Sequence, residues 1–291
     1  MISRKFTIWA CGLLFVFGSC AEDMVKPIEN DKDAPGTVQD VKTESLPGAV
    51  KFTYTLPSDP DLLYVLAKYT NKTGKVMEFR SSFYTNSVTV EGFGDTDTYK
   101  VELYTVDRSE NRSQPQIVEV APLTPPILSC YESLSVVSDF GGMTFEMDNK
   151  FKSDLAIYVC TPDELGDMVL AETFYSAREE IVYSVRGYDA VPRRFGIFLQ
   201  DKYGNETDTL FTELTPIYER ELDKTKFREM YLQNDSRVDS YDGKMEYVWN
   251  GRISKDGDSG GVGLHTGTGT KDGPAVFTFD LGVLAKLSRF A

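Results

Sequence analysis

Short stretches in which apolar and polar residues alternate occur along most of the chain. Clear examples are LLYVLAKY (62–69), YKVELYTVD (99–107), LAIYVC (155–160) and RFGIFLQD (194–201). Alternation with a period of two, built from β-branched and aromatic residues, is typical of strands that bury one face. Clusters of turn residues separate these stretches at the spacing of antiparallel sandwiches. The pattern therefore predicts an all-β chain.

The same pattern occurs twice, at an offset of 94 residues. The matched pairs include Gly48 with Gly142, Tyr64 with Tyr158, Leu103 with Ile197, Asp107 with Asp201, and Pro122 with Pro216. A repeat that keeps one register predicts two tandem units of the same architecture. Each copy also contains Asp-x-x-x-Asn-x-Ser/Thr, in DRSENRS and DKYGNET. There we expect the Asp carboxylate to cap a turn and Asn or Gly to take a positive φ, which explains the pair more simply than a metal site.

The first twenty residues predict export. Arg4 and Lys5 precede an apolar run from Phe6 to Phe17, which is short for a membrane span and has the build of a secretion signal. Gly18-Ser19 before Cys20 resembles the lipobox of bacterial lipoproteins, with Phe17 where the lipobox usually has Leu. The resemblance implies that Cys20 is lipidated, becomes the new N-terminus and provides the only membrane anchor. The alternative is an ordinary signal with an incidental cysteine.

Residues 21–34 are charged and poor in large apolar side chains, which predicts a flexible tether. Glu22 and Asp23 directly after the cysteine resemble the surface-export signal of Bacteroidota lipoproteins, although a solvated linker has the same composition. The resemblance places the protein on the outer membrane, facing the extracellular side, with the periplasmic face as the alternative.

The acidic balance disfavours polyanionic partners. The chain has 31 basic and 45 acidic side chains, and loss of residues 1–20 would take the net charge from −14 to −16. Such a chain repels nucleic acid and anionic lipid, so neutral ligands such as glycans suit it better. Cys130 and Cys160 are the cysteines that remain beyond residue 20. Their pairing stays open, because nothing in the sequence fixes their geometry.

Both copies resemble fibronectin type III domains. Tyr99-x-Val101-x-Leu103, the Asp-Asn turn that follows and the exit APLTPP (121–126) are similar to the last hairpin of that family. The resemblance implies β-sandwiches at residues 35–122 and 123–217, with Tyr99 as the corner tyrosine. In the second copy Phe195 lacks the hydroxyl that this role needs.

Residues 218–291 do not continue the repeated strand pattern of the two copies. Leu222, Phe227, Met230 and Tyr231 could line one face of a short helix with Asp223 as its N-cap. Trp249-Asn250-Gly251 and the later VFTFDLG resemble the front half of a discoidin-type, galactose-binding-like jelly roll. The segment has about half the length such a domain needs, so we expect an incomplete jelly roll. Trp249, Asn250, Arg252 and His265 are the candidate glycan-binding residues, although Trp249 could equally pack in a core.

Two short strings resemble a catalytic site and a metal site but lack residues that such sites need. GDSGG (257–261) needs a histidine and an aspartate to activate Ser259, and the single histidine, His265, follows it instead of preceding it. Asp256-x-Asp258 lacks the glutamate of a calcium loop, since position 267 is Gly. We therefore expect no enzyme, no cofactor and no metal site.

The order of lipid anchor, acidic tether, two sandwiches and discoidin-like segment resembles the accessory lipoproteins of Bacteroidota polysaccharide-utilisation loci. The resemblance implies a non-catalytic protein that binds or presents neutral polysaccharide or oligosaccharide beside an outer-membrane uptake system. The alternative is a protein-interaction scaffold that docks onto the outer-membrane transporter complex.

Overall fold

The computed structural model describes residues 32–238, 243–252 and 275–289. Cys20, His265, the GDSGG string and the Asp256 region lie outside the described residues. Within them the chain is all-β and contains two tandem fibronectin type III-like sandwiches, as the alternation predicted. No helix in these ranges combines the length and apolar character that membrane crossing requires.

The first sandwich has seven antiparallel strands in two sheets. They are β1 (Gln39–Leu46), β2 (Ala49–Thr55), β3 (Leu62–Thr70), β4 (Val76–Ser82), β5 (Ser87–Glu91), β6 (Tyr99–Asp107) and β7 (Gln116–Val120). One sheet has the order β1-β2-β5 and the other β4-β3-β6-β7. Alternate residues of β2 and β6, including Phe52, Val101 and Leu103, are fully buried between the sheets.

The second sandwich repeats this arrangement after the helix α1 (Pro126–Glu132). Its strands are β8 (Ser135–Asp139), β9 (Gly142–Asp148), β10 (Leu155–Pro162), β11 (Met168–Ser176), β12 (Glu180–Val185), β13 (Arg193–Asp201) and β14 (Leu210–Leu214). The sheets have the orders β12-β9-β8 and β11-β10-β13-β14. Phe145, Ile157, Phe195 and Ile197 are fully buried, so the same period-two alternation forms the second core.

A third, small sheet pairs β15 (Arg228–Met230) with β16 (Thr278–Asp280). The chain divides into two compact units. One contains the chain up to Leu128 together with Lys202–Asn205, and the other contains Ser129–Asp201 and the residues from Glu206 onward. The third sheet therefore belongs to the same compact unit as the second sandwich. The jelly roll expected for residues 218–291 stays a prediction.

The two copies do not keep the single register expected from the sequence. Gly48 and Gly141 are structurally equivalent, because each has a positive φ and donates its N–H to a carbonyl of the exit segment. The acceptors are Leu123 O at 3.0 Å and Ile217 O at 2.8 Å. The match of Gly48 with Gly142 was therefore wrong by one residue.

The offset changes again in the third strand of each copy. Tyr64 pairs with Val106 and Ala156 pairs with Gln200, so Tyr64 is equivalent to Ala156 and not to Tyr158. The cause is an irregularity between Leu62 and Tyr64 in β3 that β10 lacks where it pairs with β13. A bulge adds a residue to one strand without moving its partner, and an ungapped comparison of sequences does not detect it.

The Asp-Asn turn is formed by hydrogen bonds to a buried carboxylate. Asp107 is 0% exposed, and its Oδ1 accepts the N–H groups of Ser109 and Asn111, each at 2.8 Å. Its Oδ2 accepts Asn111 Nδ2 at 2.9 Å. The positive φ falls on Glu110 and, in the second copy, on Gly204, and not on the asparagines. Turn chemistry thus accounts for the conserved spacing of this motif between the copies.

Tyr99 is a corner residue in the first sandwich, where its hydroxyl donates to Asp95 Oδ1 at 2.8 Å. The strand β13 places Arg193 at the corresponding position, because β6 and β13 begin 94 residues apart. Arg193 donates to Thr161 Oγ1 at 2.9 Å and to Pro162 O at 2.7 Å. The second copy therefore lacks the corner tyrosine, but the residue in its place is Arg193, which binds the neighbouring strand, and not Phe195 as expected.

Cys130 and Cys160 are free thiols. Cys130 is buried, and its Sγ lies 3.6 Å from Asn149 Oδ1. Burial, with a smaller contribution from the negative charge of Asp148, raises the pKa of the Cys130 thiol to about 11. Burial also raises the pKa of Cys160. Both groups are therefore protonated near neutral pH, which disfavours nucleophilic chemistry.

We expect Asp107→Ala to destabilise the first sandwich by about 3 kcal/mol, because three hydrogen-bond donors lose a buried charged acceptor. The measurement is urea unfolding followed by circular dichroism. Glu119→Ala is the control: it removes an exposed ion pair with Lys100 at 3.7 Å and should change stability by less than about 0.5 kcal/mol. Equal effects of the two substitutions would contradict a structural role for the turn.

Candidate functional site

The C-terminal segment begins with a capped turn and not with the helix expected from its apolar spacing. Asp223 Oδ1 accepts Thr225 N at 3.1 Å and caps a single 3-10 turn, Lys224–Lys226. Phe227 is already extended, with φ −66° and ψ 138°, and β15 follows it. The predicted cap is confirmed and the predicted helix is wrong, because β15 forms its backbone hydrogen bonds with β16.

Three aromatic side chains from distant parts of the segment contact one another. Phe227 follows the first 3-10 turn, Trp249 ends a second 3-10 turn (Met245–Val248), and Phe279 lies in the middle of β16. The Trp249 ring centroid lies 5.1 Å from that of Phe279 and 5.7 Å from that of Phe227. The Phe227 and Phe279 centroids are 5.8 Å apart. All three side chains are partly exposed, so the cluster is a surface-facing wall and not a sealed core.

This aromatic wall lines a cavity of about 530 Å³. The other lining residues are Glu219, Arg220, Glu221, Leu222, Lys224, Val248, Leu281, Lys286, Leu287, Ser288 and Arg289. Charged groups of both signs thus surround an apolar wall. Cavities of this size with a few polar groups beside aromatic rings are typical of small-ligand sites.

Of the three predicted site residues that the structure describes, one lies in this cavity. Trp249 lines it, whereas Asn250 and Arg252 do not. Asn250 Oδ1 accepts the N–H of Arg252 at 2.8 Å across Gly251, whose φ is +73°, so the Asn-Gly pair forms a turn. Arg252 is exposed. His265 lies outside the described residues.

The sequence reasoning missed Phe279 and assigned Phe227 to a helix face. Phe279 lies in VFTFDLG, but the side chains that it contacts depend on its partner strand β15 and on the neighbouring 3-10 turns. The Asp-Leu-Gly end of that strand forms a turn in which Asp280 Oδ1 accepts Gly282 N at 2.8 Å. Gly282 has a φ of +67°, and a Cβ there would lie 2.6 Å from Lys226 O. The glycine therefore allows the two halves of the cavity wall to approach.

One wall of the cavity is held by an ion-pair network. Arg186 at the end of β12 lies 2.9 Å from Asp139 Oδ2 and 3.2 Å from Glu219 Oε1, and it also donates to Phe140 O at 3.0 Å. Glu219 Oε1 in turn accepts Ser288 Oγ at 2.5 Å. The network joins the second sandwich to both ends of the C-terminal segment.

Asp139 is charged in this network at neutral pH. The hydroxyl of Thr144 donates to it and lowers its pKa; partial burial opposes this, while the Phe140 N–H and the Arg186 guanidinium lower the pKa further. The net pKa lies below the usual carboxyl value. Since the folded pKa is the lower one, the charge stabilises the fold above pH of about 4 and that contribution is lost as the pH falls through the folded pKa.

The cavity is suited to binding a neutral polar molecule. Aromatic faces contact C–H groups, and the surrounding carboxylates, ammonium groups and guanidinium groups offer hydrogen bonds to hydroxyls. Within the described ranges, no group of three or more His, Cys, Asp or Glu side chains could hold a metal ion.

Two family models match the chain, and both describe domains of unknown function. The first, DUF4959, matches residues 35–122, and the second, DUF5126, matches residues 123–225. No curated protein matches the sequence.

Solved structures similar to the chain include a SusE-like protein with 29% identity and a TM-score of 0.35, over 56% of this chain and 57% of that one. The chain thus spans just over half the length of the SusE-like protein. A two-domain fibronectin type III segment of chicken tenascin has 12% identity and a TM-score of 0.29, over 62% of this chain and 99% of that one.

We expect Arg186→Met to loosen the C-terminal segment, because it removes the cation that joins Asp139 to Glu219. Asp139 then has no cationic partner among the described residues, and Glu219 keeps the more exposed Arg289 at 3.5 Å. The expected loss is about 2 kcal/mol, seen as an earlier change of Trp249 emission during urea unfolding of the full chain carrying Trp9→Phe. This loss should shrink below pH of about 4, where carboxylates become protonated.

Lys100→Met is the matched control, because it removes an exposed ion pair and should shift the midpoint little. An unchanged Trp249 transition in Arg186→Met would contradict the anchoring role of the network.

Proposed function

We propose that the protein is a non-catalytic surface lipoprotein that binds neutral glycan in the aromatic cavity, as an accessory to an outer-membrane polysaccharide uptake system. The observation that carries the proposal is the position of Trp249. It lines a cavity of about 530 Å³, and the rings of Phe227 and Phe279 beside it complete an aromatic wall. A sugar ring that stacks on such a wall exchanges water-exposed C–H groups for aromatic contact.

The rim favours a ligand with many hydroxyls. Glu219, Glu221, Lys224, Lys286 and Arg289 place carboxylates and cations around the cavity. Hydroxyls donate to the former and accept from the latter, so a polyhydroxylated ligand can use both. The net charge of −14 disfavours polyanionic ligands, which leaves neutral polysaccharide or oligosaccharide as the class that fits best.

The proposed anchor is lipid on Cys20. In the sequence, the two sandwiches lie between Cys20 and the cavity, so they would act as spacers that hold the binding site away from the membrane. Several acyl chains on one cysteine give firm anchoring, whereas a single chain gives only reversible binding. We place the protein on the outer membrane, facing the extracellular side.

The proposal predicts that neutral oligosaccharides change the emission of Trp249. In the full chain carrying Trp9→Phe, Trp249 is the single tryptophan, so its fluorescence reports directly on the cavity. Titration with neutral α-glucan, β-glucan, xylan and mannan fragments should give a saturable change with at least one class. Trp249→Ala should weaken binding by about tenfold or more, and Trp249→Phe by less.

Tyr84→Ala is the matched control for aromatic truncation. Tyr84 is 84% exposed and lies outside the cavity, so its loss should leave glycan binding unchanged. Affinity electrophoresis of each variant in polysaccharide gels provides an independent measurement. Absence of any spectral change and any retardation with all four classes, or equal effects of Trp249→Ala and Tyr84→Ala, would rule out the cavity as a glycan site.

The anchor has its own test. Cells that express the chain should incorporate labelled palmitate into it, and Cys20→Ala should abolish the label. Cys11→Ala is the control and should leave labelling intact, because Cys11 lies inside the predicted signal. Labelling that persists in Cys20→Ala would contradict the predicted lipidation site.

A further inference from the structure

The β10–β11 hairpin of the second sandwich exposes a cluster of apolar side chains. Leu165 at its tip is 88% exposed, and Met168, Val169 and Leu170 at the start of β11 are 36%, 41% and 57% exposed. Successive side chains of a strand point to opposite faces, so both faces of this half strand are open within the described structure. β11 is also an edge strand of its sheet. Clustered apolar exposure of this kind marks interaction surfaces.

The first sandwich provides an internal comparison, because its β3–β4 hairpin has the same turn. Asn71 Oδ1 accepts Lys75 N at 2.9 Å, and Asp163 Oδ1 accepts Asp167 N at 3.0 Å. The fourth residue of both turns is a glycine with a positive φ. The two turns therefore have the same backbone conformation. The conformation does not explain why their exposed side chains differ.

The side chains at the two tips have opposite character. Position for position, Lys72, Thr73 and Lys75 in the first hairpin are replaced by Glu164, Leu165 and Asp167 in the second. Lys72 pairs with Asp95 and Asp97 of its own sandwich. Among the described residues, no basic side chain forms an ion pair with Glu164 or Asp167. The second tip thus presents a leucine between two carboxylates that are not paired with a cation in the described part of the chain.

The apolar surface continues across the outer face of the four-stranded sheet. One cross-strand row of that face consists of Leu170, Cys160, Gly196 and Phe211. The equivalent row in the first sandwich consists of Glu78, Lys68, Glu102 and Ile117. Phe211 is 47% exposed and packs over Gly196, where a Cβ would lie 2.9 Å from its ring. A row that is mostly charged in one copy is apolar in the other.

Charge complementarity indicates what covers this surface. Asp163, Glu164, Asp167 and Glu172 flank the exposed apolar side chains along the hairpin. At the other end of the surface the Arg194 guanidinium lies 4.1 Å from the centroid of the Phe211 ring, so the acidic rim belongs to the hairpin end. Protein interfaces combine an apolar centre with a polar rim of complementary charge, so the matching surface is apolar and bordered by cations. Anionic lipid is repelled by the same carboxylates.

We propose that the β10–β11 hairpin, continued by the Leu170–Phe211 row, is a docking surface for a protein whose contact surface is apolar at its centre and carries Lys or Arg at its rim. Leu165 inserts into the apolar centre, and Glu164 and Asp167 pair with the cations around it. This docking surface uses none of the residues that line the aromatic cavity, so it is independent of the proposed glycan binding.

The test is a selection of random displayed peptides on the immobilised full chain. We expect enrichment of peptides that combine apolar residues with Lys or Arg, and one of them is then synthesised and titrated. Leu165→Asp should weaken its binding about tenfold or more, whereas Thr73→Asp, the same change at the equivalent tip, should have little effect. Leu165 is exposed, so Leu165→Asp should unfold at the wild-type midpoint. Thr73→Asp also loses the hydroxyl that donates to Asn71 Oδ1 at 2.8 Å, so its midpoint should fall slightly while peptide binding is unchanged.

Charge reversal provides the second arm. Glu164→Lys with Asp167→Lys should weaken peptide binding about tenfold and reduce its dependence on salt concentration, while Lys75→Glu in the first hairpin should have little effect. Trp249→Ala should leave peptide binding unchanged, which separates this surface from the glycan site. The proposal is overturned by failure to enrich any peptide, by enriched peptides without excess Lys or Arg, or by equal binding to Leu165→Asp. Competition by neutral oligosaccharide, or self-association of the chain that Leu165→Asp abolishes, also overturns it.

Discussion

Burial of one face of each strand between two sheets is the constraint on which the rest of the structure depends. In both sandwiches a three-stranded and a four-stranded sheet pack together, with Phe52 and Leu103 in one core and Phe145 and Ile197 in the other. Once those alternate residues are inside, the other face of each strand and the turns are free to vary without loss of the core. The copies use that freedom differently, which is why their outer faces carry different chemistry.

The C-terminal segment depends on the second sandwich for its position. Among the residues that the structure describes, its strand pairing joins three residues of β15 to three of β16. A pair of strands this short is not stable alone. Arg186 compensates by joining Asp139 of the sandwich to Glu219 at the start of the segment, and Glu219 also binds Ser288 near its end. The aromatic cavity is therefore shaped by contacts with the end of the second sandwich as well as by its own residues.

Binding to glycan and docking to protein place different demands on a surface. The cavity combines half-buried rings with polar groups of both signs, which suits a ligand rich in hydroxyls. The hairpin exposes aliphatic side chains and carboxylates and has no comparable cavity in the described structure. The proposed glycan site and the proposed docking surface share no residues, and both lie in the same compact unit.

The sequence by itself determined the all-β class, the duplication, the capping role of Asp223 and the turn chemistry of Asp107, because alternation and turn preferences are local properties. It also predicted Trp249 as a candidate binding residue, and that side chain lines the cavity. Only the tertiary structure decided that Phe227 and Phe279 lie beside that tryptophan and that Asn250 and Arg252 do not line the cavity. It also showed that the copies differ in register at Gly141 and Ala156. The physical reason is that bulges and cross-strand pairs join residues far apart in sequence, so no local pattern encodes which side chains finally meet.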